Sequence, residues 1–232
     1  MRYEIKYALD PPSLVDFSQW LAGAGWFRRA YPKRRVHSVY FDTAEMSAAR
    51  DNLAGISLRN KYRVRWYSSL CHNPISSQST PRFEIKSKQG RLGWKTGHVL
   101  ETIKAETIPE WNGQTLNQNL RTSLTGEQWS NRRQPLDFLA PKLLVEYERA
   151  YYVGPEAMRV TVDENICFGD VLSNAHARLI SQSSYSKAII EFKFPLESQN
   201  QAAELMSSLP FYPVRSSKYL TGLGLFGHAV YM

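Results

Sequence analysis

Along this chain, charged residues alternate with apolar or aromatic ones in one segment after another. The clearest cases are Lys61-Tyr62-Arg63-Val64-Arg65-Trp66-Tyr67 and Arg82-Phe83-Glu84-Ile85-Lys86-Ser87-Lys88. A period of two is the signature of a β-strand, so Arg63 and Arg65 share one face, as do Arg82, Glu84, Lys86 and Lys88. The same style recurs in Arg2-Tyr3-Glu4-Ile5-Lys6, Arg159-Val160-Thr161-Val162-Asp163 and Glu191-Phe192-Lys193. Extended to its limits, the pattern predicts strands over 2–9, 34–42, 56–67, 81–89, 142–153, 158–168 and 187–194. Between them the period lengthens. Leu14, Phe17 and Leu21 fall on one helical face, with Ser13 and Asp16 as a capping box and Gly23 and Gly25 as the stop. Ala202, Leu205, Met206 and Leu209 fit a second helix.

Other stretches carry less pattern. Residues 43–53 read as a short helical or irregular link, and 68–80, rich in Ser, Asn and Pro, as a loop. In the stretch 90–141, Leu116, Leu120 and Leu124 suggest a helical insertion or lid. The tail 216–232 reads as strand or irregular. The sum is about eight strands, mostly antiparallel, with helices packed outside. At 232 residues this is one α+β domain spanning 1–232.

Charge turns the pattern into a candidate site. If the charged faces point inward, a curled sheet encloses Glu4, Lys6, Arg63, Arg65, Glu84, Lys86, Arg149, Arg159, Glu191, Lys193 and Lys218, eight cations against three carboxylates. Such an excess requires a wet interior that holds anions. Arginine forks and lysine point charges suit phosphate oxygens, and carboxylates among them suit Mg²⁺ or Mn²⁺. The competing reading of any one strand is a solvated face with cross-strand pairs. The threefold recurrence of Glu-x-Lys, at 4/6, 84/86 and 191/193, favours the enclosed lumen.

Composition agrees. The net charge is +8 and the pI near 9.5, which favours anionic partners. Cys71 and Cys167 lack metal-ligand spacing and are too few for a disulfide framework. No apolar run approaches the roughly 20 residues that span a bilayer, so a cytoplasmic protein is expected, with a peripheral position at the inner face of the membrane as a variant. The basic residues Arg28, Arg29 and Lys33-Arg34-Arg35 read as a solvated loop. His37, His72, His98, His176 and His228 show no metal spacing and read as structural or exposed. Gly90-Arg91-Leu92-Gly93 reads as a turn rather than a phosphate-binding loop. No local signature suggests a Ser-His-Asp or Cys-His arrangement.

The ordered set of short motifs resembles the VTC-type polyphosphate polymerase domain of the triphosphate tunnel metalloenzyme (CYTH-like) superfamily, in a bacterial stand-alone form. The motifs are Glu4-Ile5-Lys6, Ser38-Val39-Tyr40-Phe41-Asp42, Arg63-Val64-Arg65-Trp66-Tyr67, Glu84-Ile85-Lys86 and Tyr147-Glu148-Arg149. They continue with Arg159-Val160-Thr161-Val162-Asp163, Glu191-Phe192-Lys193-Phe194 and Ser217-Lys218-Tyr219. Each is weak alone; their order over some 200 residues is specific. The resemblance implies an eight-stranded antiparallel β-barrel tunnel that binds a triphosphate with a divalent metal. It implies transfer of the γ-phosphate of ATP, or of a related nucleoside triphosphate, onto polyphosphate. Relatives hydrolyse triphosphates instead, and a non-catalytic polyphosphate- or RNA-binding barrel is a further alternative.

By position, the resemblance assigns Arg63, Arg65, Lys86, Arg149, Arg159 and Lys218 to phosphate binding and catalysis, and Lys6 and Lys193 to the tunnel lining. Glu191 would be the main Mn²⁺ or Mg²⁺ ligand, with Glu4 and Glu84 assisting. Where many members carry a further basic pair, this chain has Gly93-Trp94-Lys95-Thr96. The resemblance also implies polyphosphate or pyrophosphate as partner, a membrane protein that accepts the product, no specific nucleic acid, and a tunnel open at both ends.

Overall fold

Nine strands and four α-helices follow one another in the computed structural model, which describes residues 2–23, 25–70, 79–90, 92–101, 103–105, 108, 118–119, 122, 138–171 and 182–228. In chain order they are β1 (Arg2–Leu9), α1 (Pro11–Gly23), β2 (Arg28–Asp42), α2 (Ser47–Leu53), β3 (Leu58–Ser69), β4 (Arg82–Gln89) and β5 (Leu92–Val99). There follow β6 (Ala140–Val153), β7 (Arg159–Asp170), β8 (Gln182–Tyr185), β9 (Ala188–Pro195), α3 (Gln199–Ser207) and α4 (Lys218–Leu225). The sheet order is β1-β9-β7-β6-β2-β3-β4-β5, with β8 added to β7. Every pairing is antiparallel.

The sheet curls until its edges, β1 and β5, approach one another. Arg2 and Tyr3 of β1 line a small cleft with Leu92 of β5, and Lys86 of β4 bonds Glu4 of β1 at 3.1 Å. No backbone ladder joins β1 to β5 among the described residues, so side chains close the seam. The alternation read from sequence now has a physical outcome. Outward-facing apolar residues form two buried clusters, one including Val39, Phe41, Tyr62, Val64, Trp66 and Phe83, the other packing Tyr7, Val160, Ile190 and Phe192 under α1 and α3.

Several expectations change. Among the described residues the sheet has nine strands, because β5 and β8 carry too little alternation to be read from sequence. Helix α1 begins at Pro11, and its cap is Asp10, whose Oδ1 accepts from Ser13 N–H at 2.9 Å. That replaces the predicted Ser13/Asp16 box. The strand predicted from residue 34 starts earlier, at Arg28, so the basic residues 28–33 belong to β2 rather than to a loop. The tail is helical from Lys218 to Leu225, with Ser217 Oγ accepting from Leu220 N–H at 3.3 Å. The proposed helix at Leu116, Leu120 and Leu124 lies outside the described residues, as do Cys71, His72 and His176.

Helix α4 has the largest consequence, because it packs inside the curl. Tyr219 and Leu223 join Tyr40, Leu143, Val145, Ile166, Phe168 and Ile189 in a third buried cluster. A Cβ on Gly222 would lie 2.5 Å from Leu143 and 2.6 Å from Phe168, so only glycine allows this approach. Asp42 fastens the arrangement: it accepts from Ala48 and Ala49 N–H at 2.8 and 2.9 Å at the start of α2, and from the Tyr219 hydroxyl at 2.7 Å. Apolar packing around α4 thus occupies part of the interior of the curl.

Candidate active site

Beside that apolar packing, the inner face becomes a chamber of charge. Register fixes which side chains share it: Lys6 lies opposite Glu191, Thr161 opposite Glu191, Arg149 opposite Asp163, and Arg63 between Tyr40 and Glu84. On β3 and β4, Arg63 donates from Nε and Nη2 to Glu84 Oε2 at 2.8 and 2.6 Å and from Nη1 to the Tyr40 hydroxyl at 3.2 Å. Lys95 of β5 takes the other Glu84 oxygen at 2.5 Å. Arg65 donates to Ser38 Oγ at 2.9 Å and to Tyr147 Oη at 3.0 Å. On the opposite wall, Arg149 grips Asp163 with two bonds of 2.5 and 2.7 Å, and Lys218 of α4 reaches the same carboxylate at 2.6 Å.

Between these walls Lys6 bonds Glu4 at 2.9 Å and Ser216 O at 3.1 Å, while Lys193 bonds Glu191 at 2.8 Å. Lys61 donates to Ser217 Oγ at 2.8 Å. The structure thus gathers Glu4, Lys6, Arg63, Arg65, Glu84, Lys86, Arg149, Glu191, Lys193 and Lys218 on one inner face. Arg159 is exposed, paired in register with Lys193 at the end of β7.

The three carboxylates assigned to a metal do not form one cluster. Glu84 is consumed by Arg63 and Lys95, and no group of three His, Cys, Asp or Glu side chains is placed to hold a metal among the described residues. Glu4 and Glu191 do lie near each other. Burial and Glu191 push the Glu4 carboxyl up, but Lys6 and Lys86 more than offset them and hold it below its ordinary value. Burial opposes ionisation of Glu191 also, yet Lys193, Lys6, Lys86 and Arg149 keep it well below the carboxylate range. Two ionised carboxylates are hard oxygen donors. They fit a divalent ion of the Mg²⁺ or Mn²⁺ kind whose remaining positions phosphate and water complete.

The cations show what the chamber lacks. Burial, with repulsion from Lys6, Lys86 and Arg59, pushes Lys61 well below the lysine range. Burial also pushes down Lys86, despite Glu4, and Lys218, despite Asp163. The Tyr40 phenol, although buried, is brought down to about 8 by Arg63 and Arg65. In contrast Asp163 and Glu84, buried but gripped by cations, are each held at about 2. Burial is the largest cause for all three lysines, whereas Lys6, Arg63 and Arg149, each beside an anionic partner, are pushed up; the cations nonetheless outnumber the carboxylates, a state that a bound polyanion relieves.

Sequence reasoning missed several of these partners. Asp163 stands in its motif without a role, and none was assigned to Tyr40, Tyr147, Lys61 or Lys95. Arg34, read as solvated with its basic neighbours, is instead held between the rings of Tyr67 and Tyr151, 3.9 and 4.8 Å from their centroids. The inward parity of Arg34 with Ser38 and Tyr40 was the available signal.

Curled antiparallel sheet and cationic inner face together define a protein of the triphosphate tunnel class. The sequence matches the VTC domain family over residues 1–226, and the chain belongs to that family. None of the curated proteins matches it. Among solved structures it is similar to HpAC1 from Hippeastrum, an adenylyl cyclase candidate described as having a dominant triphosphatase activity. That pair shares 15% identity and a TM-score of 0.55 over 97% of this chain and 96% of the other. An adenylate cyclase candidate from Bacillus halodurans has 14% identity and a TM-score of 0.55, over 94% of each chain. The PH1819 protein from Pyrococcus horikoshii has 11% identity and a TM-score of 0.52, over 97% and 99%. At these identities the likeness is one of fold. No helix of the described residues is long and apolar enough to cross a membrane.

Proposed function

We propose that this chain is a metal-dependent polyphosphate polymerase that transfers the γ-phosphate of ATP, or of a related nucleoside triphosphate, to a growing polyphosphate chain. The observation that carries the reading is the excess of cations over carboxylates on the inner face, Lys6, Arg63, Arg65, Lys86, Arg149, Lys193 and Lys218 against Glu4, Glu84, Asp163 and Glu191, in a chain of the VTC domain family.

Phosphoryl transfer asks a protein for positioning and charge neutralisation more than for covalent chemistry. Arg63 and Arg65 are pre-oriented by Glu84, Tyr40, Ser38 and Tyr147, so their free edges meet phosphate oxygens without first being ordered. Arg149 and Lys218 are set the same way by Asp163. Lys6, Lys86 and Lys193 release Glu4 and Glu191 in part when phosphate arrives, and Arg159 attracts the incoming anion at the rim. Glu191, with Glu4 beside it, would hold the divalent ion, which supplies further charge neutralisation on the phosphate oxygens. Glu84 serves as the orienting partner of Arg63.

A hydrolase on the same fold is the second reading. It is favoured by the triphosphatase activity ascribed to the Hippeastrum protein. Incubation with ATP and Mn²⁺, followed by chain-length-resolved electrophoresis, separates the two. A ladder of polyphosphate supports the polymerase; ADP with free phosphate and no chains sinks it in favour of the hydrolase.

A further inference from the structure

Among the described residues, one buried side-chain nitrogen or oxygen has no hydrogen-bond partner: Oγ1 of Thr161. Thr161 is 6% exposed and lies on the inner face of β7, on the same side as Asp163. Its register partners are Tyr151 on β6 and Glu191 on β9. The carboxylates nearby are engaged by cations, one oxygen of Glu191 and both of Asp163. Lys193 engages Glu191 at 2.8 Å, and Arg149 and Lys218 engage both oxygens of Asp163. A buried hydroxyl left unbonded destabilises a fold, and such groups are rare enough to need a cause. Valine has nearly the same shape and would fill this position without that cost.

We propose that the Thr161 hydroxyl is a ligand-binding group that donates a hydrogen bond to a non-bridging phosphate oxygen held beside Glu191. The inference rests on the phosphate-binding reading of the chamber and adds a neutral donor to its cations. A hydroxyl suits this place. It sits between the Glu191 carboxylate and the Arg149–Asp163 pair, where a third cation would repel Lys193 and Lys218. The bond it makes with phosphate is formed only when ligand is present, so it contributes to binding and not to folding.

The two consequences of removing it therefore have opposite signs. Thr161→Val should leave the thermal midpoint of the ligand-free protein unchanged or raise it. The same substitution should weaken tripolyphosphate binding, measured by calorimetry with and without Mn²⁺, by about tenfold, the loss of one hydrogen bond to a charged group. Thr161→Ser keeps the hydroxyl and should restore the affinity. Binding of tripolyphosphate by Thr161→Val at wild-type strength would overturn the proposal, and so would a lowered midpoint, which would mean that the hydroxyl is bonded within the fold. If the wild-type protein itself fails to bind tripolyphosphate, the phosphate-binding reading falls and takes this one with it.

Discussion

The two faces of β2 and β6 are built from similar residues and put them to different ends. On the outer face, Lys33 bonds Glu148 and Glu164 at 3.0 and 2.9 Å, and Arg35 bonds Glu148 at 3.4 Å. His37 there bridges Glu146 and Ser68 at 2.5 and 2.8 Å and stacks on Trp66. Each charge has an opposite partner, so the outer face is complete as it stands. On the inner face, Arg65 and Tyr40 look onto a chamber in which cations outnumber carboxylates. There Arg65 finds only the neutral Ser38 and Tyr147. Charge alternation alone therefore does not mark a site; unbalanced charge under burial does.

The largest effect should come from Glu191→Gln, which keeps the shape and removes the negative charge. Turnover should fall by roughly a thousandfold, as when one preorganised electrostatic group is deleted, while the circular dichroism spectrum stays unchanged. Near-normal metal-dependent turnover would show that Glu191 is not part of the site. Next comes a matched pair of neutralisations. Asp163→Asn strands Arg149 and Lys218 in the interior and should cost about 3–5 kcal/mol of unfolding free energy. Glu148→Gln on the outer face should cost about 1 kcal/mol or less. Denaturant titration of both variants checks the contrast, and equal losses would erase the distinction between the faces.

A smaller effect is set by pH. Asp163 and Glu84 are held at about 2, against ordinary values of 3.8 and 4.5. A depressed carboxyl stabilises the fold fully above its unfolded value and loses that contribution as pH falls toward the folded one. Asp163 should give about 2–3 kcal/mol and Glu84 about 3–4 kcal/mol, lost between about pH 5 and 2. In a stability–pH profile, Asp163→Asn should flatten that descent; a wild-type protein with no descent there contradicts the burial of these pairs.

The strands around the site were legible because a period of two, sustained over eight or more residues, seldom arises outside a β-strand. Arg63, Arg65, Glu84, Lys86 and Glu191 could be placed on one face by parity alone. What parity cannot give is which carboxylate meets which cation. Glu84 and Glu191 look alike in their Glu-x-Lys motifs, yet Arg63 and Lys95 consume one while the other lies beside Glu4 and Thr161. Strand β5 escaped notice because Gly93, Thr96 and Gly97 interrupt its apolar positions. Helix α4 was hidden in the tail because Gly222 and Gly224 suggest irregular chain. Gly222 instead permits close packing on Leu143 and Phe168, a tertiary cause with no local signal.

The central claim is that the inner face, and not the charge-balanced outer face, binds the polyanion. Calorimetric titration with tripolyphosphate of Arg65→Met against Arg35→Met tests it most directly, since both remove one arginine and leave net charge equal. The account predicts an affinity loss of about tenfold or more for Arg65→Met, as for a hydrogen-bonded charge pair, and near wild-type binding for Arg35→Met. Equal losses, or a larger one at Arg35, would contradict it.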